Sequence, residues 1–212
     1  MIFKDRIDAG KQLGKALESY KEQDVVVYAL PRGGVVLGAE IARMLDAPLD
    51  LIVVRKVGHP LSPEYAIAAV AEDGHTVLNR SEVESVDKQW FDRNVELQRC
   101  EAERRRSLYT HGRKRLSATN KIAILVDDGL ATGLTMFGAI QEVRHAHPRK
   151  IVVAVPVAPP QTVEDLTKVA DEVIALYTPD NFAAIGSFYS NFDQVSDEEV
   201  IELMKSVPVS LR

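Results

Sequence analysis

The chain has 212 residues, 46% of them hydrophobic and 27% charged, proportions that exclude a disordered or fibrous protein and allow one full-size domain. A formal net charge of -5 excludes a chain built as a whole to coat nucleic acid or anionic lipid. One cysteine, Cys100, excludes a disulfide framework and a cysteine-rich metal site.

Asp8 is placed to cap a first helix whose Ala9, Leu13, Leu17 and Tyr20 share one face. Residues 25–30 are apolar or β-branched and end at Pro31, which predicts a buried strand. Pro31-Arg32-Gly33-Gly34 reads as a turn, and residues 35–45 resume helical spacing. A second buried strand is expected over 49–54, then a loop at Gly58-His59-Pro60 and Ser62-Pro63. Short strands follow at 65–71 and 76–78. Apolar strands at 122–126, 151–155 and 172–176 alternate with helices at 135–145 and 162–170. Ser196 and Glu199 have capping-box spacing at the head of a last helix. Buried strands alternating with helices predict an α/β fold with a doubly wound, mostly parallel sheet.

The first eight residues turn to charge too soon for a secretory leader, and the longest apolar run, 151–160, falls short of the ~20 residues of a membrane helix. The expectation is a single cytoplasmic domain over 1–212 with no membrane partner.

Residues 80–115 differ in composition, with 17 of 36 charged. Val86, Trp90, Leu97 and Cys100 give only a thin apolar stripe, so a long, mostly solvated inserted helix is expected. It would serve as a packing face, a homodimer contact or a mobile lid. The basic runs Arg104-Arg105-Arg106 and Arg113-Lys114-Arg115 read as a solvated face more readily than as a nucleic-acid site, so nucleic acid is not an expected partner.

The most informative stretch is residues 122–135. An apolar strand delivers Asp127 and Asp128 at its carboxyl end, where open α/β sheets bind ligands. The small-residue loop Gly129-Leu130-Ala131-Thr132-Gly133 then runs through Leu134 and Thr135 into a helix. Loop amides, the Thr132 and Thr135 hydroxyls and the helix dipole converge into an anion cradle. Acids beside an anion cradle make sense for a phosphorylated sugar: carboxylates accept hydrogen bonds from a vicinal diol while the amides hold the phosphate. A Walker B strand is excluded by the absence of any Gly-x-x-x-x-Gly-Lys-Ser/Thr in the chain. Carboxylates for glycoside hydrolysis flank the scissile bond rather than adjoining on one strand.

Residues 125–135 resemble the phosphoribosyl pyrophosphate (PRPP) signature of the type I phosphoribosyltransferases. Ala29-Leu30-Pro31-Arg32-Gly33-Gly34 resembles their pyrophosphate loop, and the Arg55-Lys56 stretch within 53–60 resembles that of the adenine enzymes. Thr178-Pro179-Asp180-Asn181-Phe182 resembles the base-stacking segment of the hypoxanthine-guanine enzymes. The four stretches lie in family order.

The resemblance implies Mg²⁺-dependent transfer of a 5-phosphoribosyl group from PRPP to a small heterocyclic acceptor. It assigns Asp127 and Asp128 to the ribose hydroxyls and, through water, to magnesium. Lys56, Arg32, Gly33 and Gly34 would hold the pyrophosphate, residues 129–135 the 5-phosphate, and Phe182, in a hood over 177–195, the acceptor base. Ala131 stands where the hypoxanthine-guanine enzymes carry an acid, Asn181 replaces a lysine, and no lysine lies at 157–160, so the resemblance leaves the acceptor open. The rival expectations are a non-catalytic PRPP- or nucleotide-binding regulator that contacts nucleic acid, and a phosphohydrolase-like use of the same cradle.

Overall fold

A computed structural model describes residues 2–207; Met1 and residues 208–212, the ends of the expected 1–212 domain, lie outside the described residues. In chain order the elements are α1 (Arg6–Ala16), β1 (Val25–Ala29), α2 (Gly33–Leu45), β2 (Leu49–Leu51), β3 (Val54–His59), β4 (Ser62–Ala71), β5 (Thr76–Leu78), α3 (Arg80–Val83) and α4 (Lys88–Thr110). Then follow β6 (Ile122–Val126), α5 (Leu134–Arg144), β7 (Lys150–Val157), α6 (Pro160–Thr167), β8 (Glu172–Tyr177) and α7 (Asp197–Ser206).

A five-stranded parallel sheet, order β2-β1-β6-β7-β8, forms the body. Strands β1 and β6 are buried along their whole length, as continuous Val/Ile/Leu runs require when helices cover both faces. One face packs under α1, α2 and α7 through Leu13, Leu37, Ile41 and Val200. The other packs under α5 and α6 through Met136, Ile140 and Leu166. The chain moves from β1 outward to β2 and later returns to β6 on β1's other side, so the β1/β6 boundary is where strand order reverses. Ligands enter such sheets at the carboxyl ends of that pair.

The hairpin region departs from expectation. Residues 49–54 form two strands of different sheets, with β2 in the main sheet and β3 opening a separate antiparallel sheet of order β3-β4-β5. The expected loop at 58–63 is the tip of the β3–β4 hairpin, with register shifts at Gly58. Proline there is compatible with strand ends, where no ladder donor is needed.

Helix caps explain two boundaries. Asp5, not Asp8, caps α1: its side chain accepts from the Asp8 amide at 2.8 Å. Ser196 and Glu199 form the expected capping box on α7.

The charged insertion is mostly solvated, as its composition implies, and a few buried residues anchor it. Val86, Trp90 and Phe91 pack on the hairpin sheet against Val57, Ile67 and Val70. Further along α4 the apolar stripe fails, with Leu97 63% exposed and Cys100 exposed. The buried face there is Ala102, Arg106, Tyr109 and Thr110. Arg106 donates to the Leu51 carbonyl at 2.7 Å and pairs with Asp50 and Glu72 at 3.1 and 3.0 Å. Arg115 pairs with Glu72 and Glu142. Arg104 and Arg105 both bond Glu101 at 2.7 Å. Arg106 and Arg115 are therefore neutralised within the fold, while Arg104 and Lys114 stand on a solvated face as expected. Two of those arginines tie the insertion to the sheet. No helix among the described residues is long and apolar enough to cross a membrane.

Candidate active site

Two loops leave adjacent strands at the β1/β6 boundary, where Ala29 is in register with Val126. The first is Leu30–Arg32, in which the Pro31–Arg32 peptide is cis, and it opens directly into α2. The second is residues 127–133, which opens into α5. Neither helix has a side-chain cap or an acidic residue in its first turn, so each presents amides and the positive dipole end at the same sheet edge.

Glycine is required where the loops meet. A Cβ on Gly34 would stand 2.7 Å from the Val126 carbonyl oxygen and 3.0 Å from the Asp127 Cα. A Cβ on Gly33 would collide with Asp128 Oδ2. At the head of α5, Gly133 holds φ of 73°, a left-handed geometry that L side chains rarely adopt.

The two acids are half-buried and differ in surroundings. Asp127 Oδ1 accepts from the Asp128 amide at 2.8 Å. Burial, then repulsion from Asp128, raises the Asp127 carboxyl well above the ordinary aspartate range, against a lowering by Lys56. Lys56 itself is exposed on β3, in the other sheet. Asp128 accepts from Arg6 Nε at 2.7 Å through Oδ2 and from the Tyr189 hydroxyl at 2.6 Å through its backbone carbonyl. Arg6 did not stand among the sequence candidates, and Tyr189 was expected only within the 177–195 hood, as a candidate stacking neighbour of Phe182. Arg6 lies 122 positions from Asp128, and no local pattern encodes that meeting.

The remaining candidates are distributed around this centre. Arg32 pairs with Asp197 at the start of α7 at 3.5 Å, and Asp197 also accepts from the Tyr109 hydroxyl at 2.7 Å. Leu130 is a buried anchor whose amide donates to the Val157 carbonyl at 2.9 Å. The Ala131 carbonyl accepts from the Thr162 hydroxyl at 2.6 Å, leaving Ala131 and Thr132 exposed and Leu134 and Thr135 half-buried at the mouth. Gly129 lies under the segment from 177 to 195, since a Cβ on it would meet Ile185 at 2.6 Å. Phe182 in that segment is half-buried and stacks on Phe188, centroids 5.5 Å apart. That segment is also bound to the amino end: Phe3 bridges Tyr189, and the Ser190 and Asn191 amides donate to Phe3 and Lys4 carbonyls at 2.8 and 2.9 Å.

This arrangement can seat two anions, one on each helix terminus, with carboxylates between them for hydroxyl groups. Residues 5–193 match the family model described as a phosphoribosyl transferase domain. The chain is 44% identical over 205 residues to "Putative phosphoribosyl transferase Rv0571c" of Mycobacterium tuberculosis H37Rv, and equally to MT0597 of strain CDC 1551. These alignments cover 96% of this chain and 46% of each relative, so the chain spans about half the length of the curated relatives it matches. The crystal structure of TT1426 from Thermus thermophilus superposes with a TM-score of 0.82 at 42% identity, covering 96% of this chain and 98% of that one.

Proposed function

The chain belongs to the phosphoribosyl transferase family, and from that premise we propose that it transfers the 5-phosphoribosyl group of PRPP to a nucleobase-like heterocycle with release of pyrophosphate. One observation carries the reading: Asp127 and Asp128 stand between two uncapped helix termini at the β1/β6 boundary. A 5-phosphate and a diphosphate flank the ribose diol of PRPP in the same order.

In this reading the 5-phosphate lies on the Gly129–Thr135 turn, held by the amides ahead of α5. The diphosphate lies on the Gly33–Gly34 amides, with Lys56 facing it from the hairpin sheet. Asp127 and Asp128 accept from the ribose 2- and 3-hydroxyls and orient C1 toward the hood. Departure of pyrophosphate leaves positive charge on the sugar ring, which adjacent carboxylates stabilise, and negative charge on the leaving group, which α2's dipole and Lys56 stabilise. Phe182 supplies a face for the acceptor ring.

The donor set fits magnesium held through water. The adjacent acids are hard oxygen donors, and among the described residues no group of three or more His, Cys, Asp or Glu could hold a metal directly. Asp127 and Asp128 would hold the ion, which when bound supplies charge neutralisation for the diphosphate. The reading also puts the protein in the cytoplasm, where a single unpaired cysteine such as Cys100 is the usual state.

The test is incubation with PRPP, Mg²⁺ and a panel of purine, pyrimidine and other nitrogen heterocycles, following pyrophosphate release. Base-dependent pyrophosphate release is expected. Absence of PRPP binding by calorimetry, or release of inorganic phosphate without an acceptor, would overturn the transferase reading.

A further inference from the structure

Resting on the PRPP reading above, we propose that Arg6 is an exchangeable counter-ion of the site: it neutralises Asp128 while the site is free and turns to the diphosphate once a sugar diol takes that carboxylate. Arg6 is the first residue of α1, and only 12% of its side chain and 14% of that of Asp128 are exposed. Its Nε donates to Asp128 Oδ2 at 2.7 Å and its Nη1 to the Asp193 carbonyl at 2.6 Å. The guanidinium carbon lies 3.8 Å from the centroid of the Phe192 ring. Nη2 donates to no protein group among the described residues, so the cation keeps spare donors.

The position relative to α2 decides the role. A Cβ built on Gly33 would overlap Asp128 Oδ2 and stand 2.9 Å from Arg6 Nε. Carboxylate and guanidinium therefore both lie against the first residue of the expected diphosphate seat. A bare carboxylate there would repel an arriving diphosphate strongly, because half-buried like charges are poorly screened. Arg6 cancels that repulsion.

When ribose hydroxyls occupy Asp128, the guanidinium loses its partner, and the nearest anion is the diphosphate on the same glycine. A planar fork of donors suits phosphate oxygens and pivots on the Phe192 ring without leaving the site. The other two cations are less suited to this exchange. Arg32 faces Asp197, and Lys56 is exposed on the other sheet.

Calorimetric titration of the wild type, Arg6→Gln and Arg6→Lys separately with PRPP, pyrophosphate and ribose 5-phosphate in magnesium buffer, with thermal melts, tests the proposal. Arg6→Gln is expected to weaken pyrophosphate about tenfold or more, the loss of a charge-assisted contact. Ribose 5-phosphate should bind this variant at least as tightly as wild type, because Asp128 has been freed. Arg6→Lys should recover part of the pyrophosphate affinity. Parallel loss of both ligands, loss that tracks the melting temperature, or unchanged pyrophosphate affinity makes Arg6 a structural tie and overturns the proposal while leaving PRPP binding standing. A wild type that binds none of the three overturns the PRPP reading and the role of Arg6 together.

Discussion

The Tyr189 hydroxyl donates to the backbone carbonyl of Asp128 at 2.6 Å, joining the hood to the acid that the sugar is expected to meet. The Tyr189 ring is buried against Phe3 and Phe192, centroids 5.4 and 4.8 Å away. Burial, then the charge of Asp128, holds this phenol protonated well above its ordinary range. The hydroxyl is thus a permanent donor, and it fixes the peptide that follows Asp128.

Tyr189→Phe keeps the ring packing and removes only that donor. It should cost about 0.5–1.5 kcal/mol of stability and lower PRPP affinity by letting the Asp128 peptide turn. Denaturant unfolding and PRPP titration measure the two effects. An unchanged PRPP affinity would make the bond structural only.

Asp127→Asn should separate stability from binding. The folded carboxyl holds its proton above the ordinary aspartate range, so the native state binds more protons than the unfolded chain there. The stability this gives is present at low pH and is lost as pH rises through the folded pKa. The amide carries no such loss, so the variant should be as stable as wild type or more so at about pH 8, yet bind PRPP more weakly. Melts from about pH 4 to about pH 9, which span the carboxyl and neutral regions, check the first sign, and PRPP titrations the second.

Gly133→Ala should impair the turn proposed to hold the 5-phosphate. The residue sits at φ of 73°, and an added Cβ would meet the Thr162 methyl at 2.9 Å. A left-handed non-glycine residue costs about 1–2 kcal/mol, before any shift of Thr162. Weaker inorganic phosphate and PRPP binding is expected, alongside a lower melting temperature; retained phosphate affinity would move the seat elsewhere.

Phe182→Ala should weaken acceptor binding about tenfold or more, since base–aromatic stacking is worth ~1–3 kcal/mol. PRPP affinity should hold, because the turns proposed to hold its phosphates lie on other loops. If melting temperature falls sharply while the acceptor KM stays fixed, Phe182 is packing for Phe188 and the stacking surface lies elsewhere.

Glu142→Gln should flatten the pH dependence of stability. Burial, against the pull of Arg115, pushes the Glu142 carboxyl up to about 8. The wild type therefore loses stability as pH rises from the ordinary glutamate range through that value, by an amount on the order of a few kcal/mol. The glutamine side chain cannot ionise, so the variant's stability relative to wild type should be greater at about pH 9 than at about pH 5. Above about pH 8, Arg115→Leu should instead cost about 3–5 kcal/mol by stranding the Glu142 carboxylate, while Glu72 keeps its pair with Arg106. Urea midpoints across pH measure both.

The strands of the main sheet were legible from local pattern, because a strand buried on both faces must be a continuous apolar run, as Ile122–Val126 is. The loop from Asp127 to Gly133 was legible for a similar reason: a tight turn into a helix needs glycine, and Gly133 takes the left-handed φ of 73° at that point. The split of residues 49–59 between two sheets was not, since β2 and β3 have similar apolar starts and only their partners differ. Nor was the fate of the charged insertion. Composition counts charges but cannot say that Arg106 and Arg115 meet Asp50, Glu72 and Glu142 inside the fold. Arg6 and Tyr189 reach Asp128 from opposite ends of the chain, 122 and 61 residues away. Sequence by itself determined the covalent order of the glycine turns and acids. Tertiary packing alone decided which distant side chains neutralise and orient them, because such contacts depend on where the hood and α1 come to rest over the sheet edge.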